Sequence, residues 1–220
     1  WSSDVCSSDL EDEVLTLVSA SAAGHGTTAI EEGKIRYVPN TDWFGTDSFS
    51  YTIQDREGIS STATVTVKVT PVEDPPWFED LEESYTIDED SVNAAITFSI
   101  KDVETPANSL MLQAVSLNET LLLQRDIKVE GLGDSNDSVT LIVTPRPNRH
   151  GSVTISLALG DGFATVTQNF VLNVTSVNDL PVAVSDAVYY DEGETVVTID
   201  MDTLIENDTD IDGDTLSFEG

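Results

Sequence analysis

The sequence predicts an all-β chain of tandem antiparallel Greek-key β-sandwiches, the middle one complete and the outer two truncated. Three observations carry this. A threonine-rich alternating strand that runs into an acidic, proline-closed linker occurs twice. Apolar and polar residues alternate in strand-length runs along the chain. Gly, Pro, Asn and Asp punctuate those runs, and no segment shows helical periodicity or a capping box.

The repeat sets the domain count. Its first copy is Thr64-Val65-Thr66-Val67-Lys68-Val69-Thr70-Pro71-Val72-Glu73-Asp74-Pro75-Pro76, and the second ends Phe170-Val171-Leu172-Asn173-Val174-Thr175-Ser176-Val177-Asn178-Asp179-Leu180-Pro181. Asp74 and Asp179 are 105 residues apart (179 − 74), the length of one small β-sandwich. Other landmarks keep the same phase. Asp88-Glu89-Asp90 and Asp191-Glu192-Gly193-Glu194 follow the two linkers, and Asp55 and Asp161 precede them by 19 and 18 residues (74 − 55, 179 − 161). Tandem modules point to a stalk rather than a catalyst.

In chain order, residues 1–10 match nothing in the repeat and carry no strand or helix period. They resemble the translation of a sequencing-adapter oligonucleotide and are set aside as a scar, together with Cys6, the single cysteine. Residues 11–72 form a module lacking its first strands. Phe49, Tyr51 and Ile53 share one strand face, Ala63, Val65, Val67 and Val69 another, and Asp55-Arg56-Glu57-Gly58 turns between them. Residues 77–180 form the complete module. Its inward faces are Ile96/Phe98/Ile100, Val139/Leu141/Val143, Val153/Ile155/Leu157/Leu159 and Phe170/Leu172/Val174. Residues 181–220 form a module lacking its last strands, with a strand beginning at Leu216 and Phe218. Pro75-Pro76 and Pro181 stiffen the joints, because proline fixes φ and restricts the residue before it.

Composition narrows the chemistry. The chain has 41 Asp and Glu against 9 Lys and Arg, a net charge of −32. This excludes nucleic acid as a partner, which needs clustered bases. No apolar stretch reaches the length of a membrane span, so this segment does not insert into a membrane. With 39% hydrophobic residues in clean alternation, the chain is not disordered. So large a carboxylate excess needs solvent, salt or bound cations to dilute its self-repulsion. With no disulfide to supply rigidity, a metal is the usual alternative.

The densest acidic run is Asp208-Thr209-Asp210-Ile211-Asp212-Gly213-Asp214. Alternate aspartates place hard oxygens around one point, Gly213 permits the sharp turn, and Ca²⁺ takes six to eight such ligands. Glu219 falls at position twelve of an EF-hand count, but the flanking segments do not read as helices. The competing reading is an acidic surface turn without an ion.

The run Tyr37-Val38-Pro39-Asn40-Thr41-Asp42-Trp43-Phe44-Gly45-Thr46-Asp47-Ser48-Phe49-Ser50-Tyr51-Thr52-Ile53 resembles the cadherin-like tandem repeats of large bacterial surface proteins, and so do residues 207–216 and both linkers. In that family Ca²⁺ sits at the junction between neighbouring modules. The resemblance implies Glu89, Asn178, Asp179, Asp210 and Asp212 as ligands at the second junction, and Glu73, Asp74, Asp102, Glu104 and Asp161 at the first. The fit is imperfect, because Glu73 stands where asparagine is preferred and Asp102-Val103-Glu104 replaces a D-x-D pair. Asp55 is a further candidate, or an ordinary turn aspartate.

The resemblance implies a calcium-stiffened structural or adhesive stalk, extracellular or on a bacterial cell surface. Its partners would be neighbouring repeats of the same chain, with cell-surface or glycan ligands as further candidates. The alternatives are spacer modules of a large secreted enzyme, such as a polysaccharide hydrolase or protease, and a carbohydrate-binding module. The segment itself is not expected to be an enzyme. His25 and His150 each precede a glycine in a turn, with no nucleophile or orienting carboxylate arguable by motif. Trp43-Phe44 and Trp77-Phe78 suit packing better than sugar stacking. Asn118, Asn136, Asn173 and Asn207 lie in N-x-Ser/Thr sequons of the kind that arise by chance in a Thr-rich chain.

Overall fold

A computed structural model of the chain describes residues 15–133, 137–193 and 196–217. The residues read as a scar, together with Asn136, Phe218 and Glu219, lie outside the described residues. The chain is all-β, as its alternation predicts, and divides into two units, Trp1–Glu73 and Asp74–Gly220.

In the N-terminal unit, β1 (Thr16–Ala20), β4 (Gly45–Gln54) and β5 (Ser60–Val69) form one sheet in the order β1-β4-β5. β2 (Gly26–Glu31) and β3 (Lys34–Pro39) form a hairpin. Its two-residue turn, Glu32-Gly33, has both φ values positive, at 51° and 74°. That is the backbone that matches the twist of paired strands, and the second position suits glycine. Among the described residues of this unit, the buried side chains are Phe49 and, unexpectedly, Asp47.

The central sandwich is complete. β6 (Trp77–Glu79), β8 (Ala94–Lys101), β11 (Ser138–Val143) and β10 (Ile127–Glu130) form one sheet. β7 (Ser84–Asp88), β13 (Thr165–Thr175), β12 (Gly151–Gly160) and β9 (Met111–Ser116) form the other. Every inward residue expected in this module is buried, from Ile96, Phe98 and Ile100 on β8 to Phe170, Leu172 and Val174 on β13. Phe78 and Tyr85 close the core edge-on against Phe98 and Phe170, with centroids 5.9 and 5.2 Å apart.

Two features depart from the expected pattern. β7 runs parallel to β13, because the chain leaves β6 in one sheet and crosses to the other before β7 begins. Residues 181–217 contain no strand among those described. They hold one antiparallel bridge, Val182 to Thr209, and a single helical turn, α1 (Met201–Ile205), capped by the Asp200 carboxylate accepting from the Asp202 amide at 3.1 Å. Five residues are too few to impose a 3.6-residue period, which is why the helix escaped the sequence reading. Leu216 likewise stands outside any strand. The segment falls in the same compact unit as the central sandwich, Asp74–Gly220.

Candidate metal centre

Two groups of carboxylates sit on the central sandwich. The first begins with Glu89, the residue after β7, whose backbone continues the ladder by donating to Thr175 at 2.8 Å. This register pulls the side chain inward, and Glu89 is only 3% exposed. Its Oε1 accepts from the Val177 amide at 3.0 Å, so Glu89 grips the start of the second linker. Oε2 is buried and has no hydrogen-bond partner. The nearest cationic candidate is Nδ1 of His150, at 3.7 Å.

The linker then brings in Asp179. Its amide donates to Oδ2 of Asp212 at 2.6 Å, tying the linker to the acidic loop. The loop is folded by its own aspartates: Oδ1 of Asp210 accepts from the amides of Asp212 and Asp214 at 2.9 and 3.2 Å. Gly213 turns the chain at φ 82°, a left-handed conformation that a side chain would strain. Burial of the Asp179 carboxyl pushes its pKa up, reinforced by the negative charges of Asp90, Asp212, Glu89 and Asp210. Its Oδ2 is also buried and unpartnered. The chain therefore gathers five carboxylates here and leaves two of their oxygens without a donor.

This crowding has a pH signature. A carboxyl with a raised folded-state pKa binds its proton more tightly folded than unfolded, so its contribution to stability falls as pH rises through that raised value. In chelator the central unit should melt higher in mild acid than at neutral pH, and added Ca²⁺ should abolish the difference. Melting curves across that window check this.

At the first linker, hydrogen bonds join Asp74, Glu104 and Asp102, and Asp161 is a further ligand that the resemblance implies there. Asp102 follows β8, and its Oδ1 accepts from the amides of Glu104 and Thr105 at 2.9 and 2.6 Å. Glu104 accepts from the Asp74 amide at 3.1 Å. Asp161 lies in the β12–β13 turn, where Oδ1 accepts from the amides of Phe163 and Ala164, both at 2.6 Å. These bonds, led by that to Ala164, hold its pKa below the usual carboxylate range against the opposing effect of burial. Oδ2 of Asp102 and Oδ2 of Asp161 are buried without partners.

These four oxygens are the only buried side-chain nitrogen or oxygen atoms among the described residues that lack a hydrogen-bond partner. All four belong to residues that the sequence had singled out as metal ligands. A buried carboxylate oxygen without a donor is costly, and a bound cation is one of the few ways to satisfy it. Hard carboxylate oxygens suit Ca²⁺. Among the described residues, however, no three Asp, Glu, His or Cys side chains already stand close enough together to hold an ion.

Other expected ligands sit differently. Asp208 accepts from the Val184 amide at 2.7 Å and serves the turn. Asp214 joins the loop through its amide. The Asn178 amide group donates to the carbonyl of Asp179 at 2.9 Å. Glu73 belongs to the N-terminal unit. Asp55 closes its own turn, accepting from the Ile59 amide at 2.7 Å.

Sequence reasoning missed Asp90, although it stands in the Asp88-Glu89-Asp90 landmark. It also missed Asp47, which accepts from the amides of Gly24, His25 and Ser48 and from the Tyr37 hydroxyl at 2.8–3.0 Å. Burial alone would raise the pKa of Asp47, but these bonds outweigh it and the pKa lies low. Nothing in the alternation marks a carboxylate for burial. His25 stacks on Trp43 with centroids 4.4 Å apart, so that tryptophan is used in packing, whereas Trp77 is 42% exposed. No helix among the described residues is long and apolar enough to cross a membrane.

Residues 2–68 match the family model of the bacterial Ig domain, a span that takes in all but the first residue of the segment read as a scar. Domains EC1-2 of human protocadherin-24 are similar over 76% of this chain and 85% of that one, at 13% identity and a TM-score of 0.47. Domains 4 and 5 of the S-layer protein SbsC are similar over 73% and 70%, at 18% identity and a TM-score of 0.37. An endo-fucoidan hydrolase of glycoside hydrolase family 107 is similar over 74% of this chain and 24% of its own, at 16% identity and a TM-score of 0.34. No curated protein matches. The chain is all-β with a two-sheet β-sandwich at its centre, and its N-terminal part matches the bacterial Ig domain.

Proposed function

We propose that this chain is a non-catalytic segment of a secreted or surface-anchored bacterial protein, a structural or adhesive stalk whose joints are stiffened by Ca²⁺. The bacterial Ig match supports the setting. The observation that carries the calcium reading is the coincidence of the four unpartnered buried oxygens with the ligand set implied by the cadherin-like resemblance.

At the second junction Glu89, Asp179, Asp210 and Asp212 would hold one ion, with Asp90 adding negative field. Asp102, Glu104, Asp161 and Asp74 would hold another at the opposite linker of the central sandwich. Bound Ca²⁺ supplies charge neutralisation and a multi-oxygen cross-link. The chain's own part is to present the oxygens: Glu89 from the end of β7, Asp179 from the linker, and Asp210 and Asp212 from the loop beyond. Their mutual repulsion, already evident in the raised pKa of Asp179, loosens this joint when the ion is removed.

The test is the double variant Asp210→Asn with Asp212→Asn. It should lose the part of the Ca²⁺-induced rise in melting midpoint that comes from the second junction, since an ion stabilises only what it binds when folded. A full rise in the variant would remove the second junction from the proposal.

A further inference from the structure

The loop between β11 and β12 runs against the charge of the chain. Residues 144–150 contain Arg146, Arg149 and His150 and no Asp or Glu, in a sequence with 41 acids against 9 Lys and Arg. Both arginines are exposed, and neither guanidinium enters an ion pair or a side-chain hydrogen bond with a described residue. In so acidic a chain, two unpaired arginines on one loop are free to take an anion from outside it.

The loop is pinned at three points. The Thr144 hydroxyl accepts from the Asn93 amide at 3.1 Å, the Arg146 amide donates to the Leu121 carbonyl at 2.9 Å, and the Asn148 amide donates to Oδ1 of Asp90 at 2.9 Å. Pro145 and Pro147 fix φ between those points. The loop walls one side of a cleft of about 510 Å³, and the turn at 118–120 and Ser152 line the other. In that turn Oδ1 of Asn118 is already engaged, accepting from the amide and the hydroxyl of Thr120 at 3.1 and 2.6 Å. His150 is turned toward Glu89, with Nδ1 3.7 Å from its carboxylate. A ligand therefore meets mainly donors: the guanidiniums of Arg146 and Arg149 and the side-chain NH₂ of Asn118.

We propose that this cleft binds the carboxylate of an acidic saccharide, with Arg146 and Arg149 on the anion and Asn118 and Thr120 on neighbouring hydroxyls. Leu121 is the one apolar side chain among the described lining residues, too little to anchor a peptide by burial. Nor can a peptide add as a strand, because β12 is already paired on both edges, with β13 and β9. A saccharide needs neither. Charge narrows the choice further: Glu89 and Asp90 touch the loop from behind, and the net charge of −32 repels a dense polyanion. Carboxylates separated by neutral sugars escape most of that field, since it is screened over about 8 Å at physiological salt. The site gives the adhesive part of the proposed function a ligand class, rests on that part alone, and does not require Ca²⁺.

Amide NMR titration of the whole chain with a hyaluronan tetrasaccharide, in chelator and physiological salt, tests this. Binding should saturate, with shifts confined to residues 118–121 and 146–152. Arg146→Gln with Arg149→Gln should weaken it at least about tenfold. Lys34→Gln with Lys68→Gln removes the same charge from the N-terminal unit and should leave it unchanged. All four side chains are exposed, so both variants keep the fold, which an unchanged melting midpoint checks. No saturable binding at millimolar saccharide would overturn the proposal, as would binding indifferent to the arginine variant or matched by the neutral chitotetraose. Tighter binding of a tetraglutamate peptide would overturn the saccharide assignment. Chelator is present throughout, so failure here leaves the calcium-induced rise in melting midpoint to be judged separately.

Discussion

Adding Ca²⁺ to the chelated chain should raise the unfolding midpoint of the central unit and leave that of residues 15–73 nearly unchanged. At a free concentration one hundred times the dissociation constant, each site contributes about 2.7 kcal/mol. For a unit of this size that corresponds to a shift on the order of 5–10 °C per site. Mg²⁺ should do much less, because it demands a small octahedral cage and gives up its water reluctantly. The carboxylates proposed as ligands are spread over linkers and loops, an arrangement that suits the larger and more tolerant ion. Differential scanning calorimetry with each metal would read the effect directly.

The second large effect concerns the core that holds those linkers. Phe98 is 1% exposed and lies at the centre of the inner face of β8, with Phe78 packed edge-on against it. Phe98→Ala removes most of a buried aromatic side chain and leaves a cavity that a rigid two-sheet core cannot close, at a cost of about 3–5 kcal/mol. Calorimetry should show the transition of the central unit moving down by roughly 10 °C or more, while that of the N-terminal unit stays in place. If both transitions moved together, the two units would be folding as one cooperative body.

The contrast between the units explains what the sequence could convey. In the central module each strand alternates cleanly, and Ile96/Phe98/Ile100 or Phe170/Leu172/Val174 define a face without knowledge of any partner. Alternation reports which side of a strand is buried, and there it was sufficient. It does not report whether a partner sheet is present. Val188, Tyr190 and Val196 have the apolar character of strand residues, yet all three stay exposed. Nor does it report direction, so the parallel β7 went unrecognised.

The candidate site was partly legible for a different reason. Ligand types are polar residues at irregular positions, and only the resemblance to cadherin-like repeats selected Glu89, Asp102, Asp161 and Asp179 from so many acids. The structure supplies what the sequence lacked, namely which oxygens are buried and which of those lack a donor. It also redistributes roles within the acidic loop. Asp208 and Asp214 looked equivalent to Asp210 and Asp212 in the sequence, but Asp208 fastens Val184 and Asp214 contributes its backbone. Asp90 was invisible as a participant because its effect is a long-range charge on Asp179 rather than a place in a motif.

The most direct measurement is the melting midpoint of Glu89→Gln, in chelator and with saturating Ca²⁺. Glutamine keeps an acceptor for the Val177 amide and removes the charge whose second oxygen has no partner. If that charge exists to bind a cation, the variant should be at least as stable as the parent in chelator, because a buried unpaired charge has been deleted. It should also lose the second-junction share of the calcium shift. A variant that is destabilised in chelator and still gains the full calcium shift would contradict a calcium site built on Glu89.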